Sequence, residues 1–323
     1  MSLVTDQRPV LSPADIEHFL QYGYVRLSNC FETGPGSLAH RWAQESWQRN
    51  GINPDDFDSW PKDKIHMSAS ETKQIREFSP RAYQAICELS GGADRIVEDM
   101  AWGNGFIANY GFGRDKPWEP PSPQVEGWHV DGDFFHHFLD SAEQGLLIVV
   151  LFSDIHPKGG GTYIATDSIA PVARHLAAHP EGLNPFGFAH GPLAEVCKDC
   201  IETTGKAGDV FFLHPFMLHT SSYNHRPEAR LMINPTVILR EPMRFDRRSD
   251  GTAYSPVEQA ILRALGAEHY PFTPRSPRVR GTRQSMSALW NEANAKAAAA
   301  EAARPLTLRK RIGRFVRKLR NSR

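Results

Sequence analysis

Two stretches of the 323-residue chain concentrate side chains that bind metals and anions. The first, EGWHVDGDFFHHF (126–138), sets His129 and Asp131 two residues apart. In an extended segment that spacing sends an imidazole and a carboxylate to the same face. The second, GDVFFLHPFMLHTSSYNHRPEAR (208–230), is an apolar run that meets His214 and His219 and ends on Arg230. Two histidines and one carboxylate are the donor set that holds Fe(II) on one face and leaves its other positions open. An arginine fork nearby suits the carboxylate of a co-substrate. Spacing alone leaves two matters open: whether His129 and Asp131 are a chance pair, and which of His214 and His219 is the distal ligand.

Such groups need a rigid frame. LSPADIEHFLQYGYVRL (11–27) predicts a helix capped by Ser12, with Pro13 at its first position and Asp15 in its first turn. Gly23 should stop it, and a strand should follow over 24–27. Residues 32–100 read as mostly helical around a polar surface loop, NPDDFDSWPKDK. From residue 105 the texture becomes short β-rich runs bounded by Gly and Pro, which predicts a sandwich or barrel rather than a doubly wound parallel sheet. SMSALWNEANAKAAAAEAA then predicts a helix broken at Pro305. The expected divisions are 1–284 for the β domain, 285–304 for an Ala-rich helix outside the core, and 305–323 for a basic tail.

Composition, 40% hydrophobic and 23% charged, is that of an ordinary globular chain. Four cysteines are too few for a disulfide framework, and no N-terminal apolar leader or spanning segment is visible, so a cytoplasmic location is expected. The zero net charge hides a division. Residues 304–323 hold nine basic and no acidic side chains, leaving 28 basic against 37 acidic before them. In that tail Ile312, Phe315, Val316 and Leu319 form one apolar stripe among arginines, the pattern of an interfacial helix. Attachment to an anionic membrane surface is therefore expected of the tail, and nucleic-acid binding is not, since Phe315 is its only stacking side chain.

These motifs resemble those of the phytanoyl-CoA dioxygenase-like branch of the iron(II)/2-oxoglutarate oxygenases. ADIEHFLQYGYVRL is similar to that family's opening helix and strand, WHVDG to its His-x-Asp segment, and GDVFFLHPFMLHTSSYNHRPEARLMINP to its distal histidine and arginine segment. The likeness runs from about residue 11 to 240. It implies a mainly β fold with helical cover, a double-stranded β-helix or jelly roll. It implies Fe(II) held by His129, Asp131 and His219, with His219 preferred over His214 because Arg230 follows it by eleven residues and Asn224 lies between. It implies 2-oxoglutarate and O2 as co-substrates, Arg230 gripping the far carboxylate and Ser221 supporting it. Thr162 and Asn109, on flanking strands, could touch the co-substrate. One departure is GGGTYIATDSIAP, where Ile169 follows Ser168 in place of the family's Gly-Ser-His turn.

The activity implied is hydroxylation of a small or lipid-linked organic substrate. A carboxylate at position 131 leaves no room for the chloride of related halogenases. The competing class is a non-catalytic metal- or ligand-binding jelly roll. A zinc hydrolase would need a further general base, and no helical His-Glu-x-x-His is present. Phe134, Phe135, His136 and His137 follow the ligands closely enough to line a substrate pocket. CKDC (197–200) has zinc-like spacing without a second pair, and KGGG (158–161) lacks the Lys-Ser/Thr of a phosphate loop.

Overall fold

The computed structural model describes residues 8–303 apart from 99, 247–250 and 252. The basic tail, with its expected membrane-binding helix, lies outside the described residues. Among those described, no helix is long and apolar enough to cross a membrane.

The opening unit forms as its capping residues dictate. In α1 (Pro13–Tyr22), Ser12 Oγ accepts from the Asp15 amide while the Asp15 carboxylate accepts from the Ser12 amide, a reciprocal cap. Gly23 ends the helix at φ +72°, a left-handed turn that glycine makes without steric cost, and β1 (Tyr24–Leu27) follows. The chain continues through α2 (Leu38–Arg49), β2 (Ile65–His66), β3 (Thr72–Gln74), α3 (Ile75–Phe78), α4 (Pro80–Ser90), β4 (Ala101–Gly103) and β5 (Ile107–Asn109). The region expected to be mostly helical thus also holds two short strands. β3 is exposed throughout, so no apolar alternation marked it.

Next come β6 (Leu146–Leu151), β7 (Tyr163–Ala165), α5 (Ile169–Ala177), α6 (His190–Glu195), β8 (Cys200–Glu202), β9 (Val210–Leu213), β10 (His219–Thr220), β11 (Arg230–Ile233), β12 (Thr236–Val237), α7 (Pro256–Leu265) and α8 (Arg283–Ala303). Every strand pairing among the described residues is antiparallel. The larger sheet runs β1-β9-β6-β11-β5-β2, with β12 also on β6; a smaller one runs β10-β7-β8; β3 and β4 form a ribbon.

The two main sheets share an apolar layer. Leu147, Val149, Leu151, Phe211, Leu213 and Met232 of the larger sheet cluster with Ile164 of the smaller. Their neighbours Ile148, Val150, Val210 and Phe212 project the other way, into a core with Phe19, Trp42, Ile86 and Ile261 of the helices. β6 is therefore buried on both faces, which is why it reads as a continuous apolar run rather than an alternation. Each such side chain contributes about 1.5–3 kcal/mol on burial.

β11 and β12 act as one strand against β6. They pair with it in a single register, Met232 opposite Leu151, Ile233 opposite Val150, Thr236 opposite Leu147 and Val237 opposite Leu146. The ladder skips only Asn234 and Pro235, because proline has no amide hydrogen to give. Alternation then puts Arg230, Met232 and Asn234 on the same face, the one turned toward the smaller sheet.

The C-terminal helix, expected to lie outside the core, is docked at its start. Met286 is fully buried, the Asn184 amide donates to the Met286 carbonyl, and Arg283 pairs with Asp133 at 2.8 Å.

Candidate metal centre

The segment expected to be a His-x-Asp strand is reduced to one bridge. His129 and His219 exchange backbone hydrogen bonds of 3.0 and 2.9 Å, and their pairing stays an isolated bridge although His219 itself belongs to β10. Gly127 at φ +85° and Gly132 at φ +112° turn the chain on either side. The bridge nonetheless brings the two imidazoles together, with centroids 4.3 Å apart and their planes tilted by 51°.

Both rings are locked the same way. His129 Nδ1 meets the Gly127 carbonyl at 2.7 Å, and His219 Nδ1 meets the Met217 carbonyl at 3.1 Å, each two residues back. A carbonyl only accepts, so each Nδ1 carries the proton and each Nε2 presents its lone pair. Those two Nε2 atoms face Asp131 Oδ1 at 3.5 and 3.4 Å, and the three donor atoms lie within 4.8 Å of one another. Donors bound at right angles to one transition metal at 2.0–2.2 Å stand about 3 Å apart, so Asp131 is within about half an ångström of that spacing from both rings. The donor set and its tautomers fit a divalent metal. Burial alone would raise the Asp131 carboxyl; the facing His219 and His129 outweigh it and hold Asp131 well below the usual carboxylate range. In return Asp131 raises His219 against its own burial.

Asp131 Oδ2 is occupied differently: it accepts from the Asn234 amide at 3.0 Å.

Arg230 is 2% exposed, and among the described residues no carboxylate pairs with it. Its Nη1 contacts the Met232 sulfur at 3.0 Å, its Nη2 donates to the Ile107 carbonyl at 3.4 Å, and its Nε has no partner. Burial pushes the guanidinium down to about 10. Lys64 lies close by and donates to Ser221 Oγ at 2.5 Å; burial first, and then the charge of Arg230, pushes its pKa down. Two buried or half-buried cations without an acid are a site prepared for an anion, since an uncompensated buried charge is costly.

Of the other expected residues, Ser221 is engaged by Lys64, whose charge in turn feels that of Arg230. Thr162 is buried, its hydroxyl 3.6 Å from the same Met232 sulfur that Arg230 touches. Asn109 lies opposite Arg230 in the ladder, but its side chain is spent on backbone, accepting from the Phe112 amide and donating to the Ser222 carbonyl. His214 lies outside the cluster; it accepts from the Phe216 amide at 3.0 Å and stands 3.2 Å from the Val257 carbonyl of α7. His137 is buried against the Gly132 carbonyl, and His136 is held at the backbone by Val279. All four cysteines are free, and burial raises Cys197 and Cys200 to about 12 and about 11.

Two cavities meet at Gly127 and His129. One, of about 650 Å³, is lined by Lys64, Tyr163, Ser221 and Tyr223. The other, of about 620 Å³, is lined by Asp131, Phe134, His190, Asn234, Thr236 and Arg283. Burial, reinforced by neighbouring His137, pushes His190 down to about 3, so it is neutral. Lys64, His190 and Asn234 are not among the site residues named from the sequence. Lys64 sits in a loop whose composition signals surface, whereas the Asn-Pro pair inside an apolar strand was a usable signal for Asn234.

No protein-family model matches the sequence, and no curated protein matches it. Among solved structures, the chain is similar to the non-heme monooxygenase ThoJ (20% identity, 78% of this chain and 93% of that one, TM-score 0.43). It is similar also to the non-heme α-ketoglutarate-dependent carbocyclase SnoK from nogalamycin biosynthesis (14%, 86% and 100%, 0.41). A third is HygX from Streptomyces hygroscopicus, with nickel and 2-oxoglutarate bound (14%, 71% and 87%, 0.39).

Proposed function

We propose that the chain is an iron(II)- and 2-oxoglutarate-dependent oxygenase on a jelly-roll frame, of the phytanoyl-CoA dioxygenase-like kind, hydroxylating a small or lipid-linked organic substrate. The observation that carries this is the pairing of two half-sites: a His-Asp-His cluster with both Nε2 atoms turned to Asp131, and a buried arginine that no carboxylate pairs with among the described residues. A metal-binding protein alone would have no use for the second.

His129, Asp131 and His219 would hold Fe(II), which supplies activation of O2 coupled to decarboxylation of 2-oxoglutarate to succinate. Arg230 would take the far carboxylate of 2-oxoglutarate in a two-pronged hydrogen bond, with Lys64 and Ser221 beside it. The backbone locks on both Nδ1 atoms keep the rings from rotating away from the metal. The apolar layer of Leu147, Val149 and Ile164 keeps water from the interior, where the charge of Arg230 acts at full strength. The cavity beside Asp131 and Phe134 gives a substrate access to the metal from the side away from Lys64.

The test is succinate formation by the full chain given Fe(II), 2-oxoglutarate and O2, measured by mass spectrometry, with a substrate screen for a product heavier by one oxygen. Metal binding without any succinate would favour a binding protein over an enzyme.

A further inference from the structure

The two oxygens of Asp131 are sorted. Oδ1 faces both imidazoles at 3.5 and 3.4 Å, whereas Oδ2 is held by the Asn234 amide at 3.0 Å. An unrestrained carboxylate can bind a metal through one oxygen or through both. The difference matters at a centre with three protein ligands. Three single donors on a six-coordinate ion leave about three positions, enough for a chelating 2-oxoglutarate and one O2. A chelating Asp131 would leave about two, enough for the co-substrate and none for oxygen.

Asn234 is well placed to decide this. Ladder pairs on both sides, Ile233 with Val150 and Thr236 with Leu147, hold its backbone, and Pro235 stiffens the next residue. Its side chain shares a face with Arg230 and Met232, so it approaches Asp131 from the interior, and no other donor reaches Oδ2 among the described residues.

We propose that Asn234 is a positioning residue that keeps Asp131 bound through one oxygen and so sets the open positions at three rather than two. This role rests on the centre being an iron and 2-oxoglutarate site.

Mn(II), which takes octahedral oxygen and nitrogen sites and relaxes water protons, serves as the probe in the full chain. Its binding is counted by electron paramagnetic resonance, and the proton relaxation per bound ion reports the waters on it. In the wild type, 2-oxoglutarate should remove about two of three waters, lowering the inner-sphere relaxation by about two thirds. Asn234→Ala and Asn234→Leu, which both delete the donor, should start about one third lower and lose nearly all inner-sphere relaxation on adding 2-oxoglutarate. Two variants of different size guard against a packing defect, and thermal melting confirms which is folded. Wild-type relaxation per bound Mn(II) in either folded variant overturns the proposal while leaving the oxygenase reading intact. Absence of Mn(II) binding, or of any 2-oxoglutarate effect, in the wild type overturns both.

Discussion

Replacing Arg230 by methionine should move two quantities in opposite directions. The guanidinium is buried, bonded to a thioether and one long carbonyl contact, and its Nε is unpartnered. Burial lowers it from the ordinary arginine value to about 10, which corresponds to about 3 kcal/mol against the charged form in the empty fold. Because the folded value is the lower one, that cost is fully present below about pH 10 and fades only as pH rises toward the unfolded value. Arg230→Met, similar in length and uncharged, should therefore raise the stability of the ligand-free protein at neutral pH by about 1–3 kcal/mol. The same change removes a charge-assisted pair with 2-oxoglutarate, about 1.5–3 kcal/mol or ten- to a hundredfold in affinity. Urea unfolding with and without Mn(II) and 2-oxoglutarate measures both. At a hundred times its dissociation constant the co-substrate should stabilise the wild type by about 2.7 kcal/mol, and at that concentration the variant by only about 0.4–1.4 kcal/mol. Arg230→Lys should fall between them. A variant less stable than wild type that still gains the full 2.7 kcal/mol or so would show Arg230 to be a structural residue and sink the case for an anion site.

His129→Ala, Asp131→Ala and His219→Ala should each abolish Mn(II) binding and succinate formation while circular dichroism stays native, because the ligands close a site rather than a core. His214→Ala should behave in the reverse way. It should keep metal affinity within about twofold but lose about 2–4 kcal/mol of stability, since a fully buried ring and its bonds to Phe216 and Val257 go with it. Metal loss in His214→Ala with retention in His219→Ala would reverse the assignment of the distal ligand.

Elements governed by local physics are the ones legible in the sequence. The α1 cap, the Gly23 stop and β1 were legible because each depends on neighbours a few residues away. β6 and β9 were legible because double burial demands unbroken apolar runs. β2 and β3 were not, because two or three exposed or half-exposed residues carry no period. The three donors of the metal cluster were named from motif likeness, but their meeting point is a single long-range bridge between His129 and His219, far apart in the chain. Lys64 could not be found at all: a lysine among Asp and Pro reads as solvated until tertiary packing puts Ser221 and Arg230 beside it.

The β11–β12 strand shows how one short sequence can serve several parts of a site. Along RLMINPT the inward positions are Arg230, Met232, Asn234 and Thr236, spaced about 6–7 Å by the strand repeat. The first is a buried cation that no carboxylate pairs with among the described residues, the second meets it through a sulfur shared with Thr162, the third holds Asp131, and the fourth lines the second cavity. Because the register to β6 runs unbroken past Asn234 and Pro235, these four cannot shift independently. A one-residue slip would turn all of them outward together, since the side-chain period is two. Such a slip is expensive because it would carry Leu231 and Ile233 out of the helical core and force Arg230 and Asn234 into it. The pairing with β6 is therefore also what fixes the distance between Arg230 and Asn234, the residue that holds Asp131.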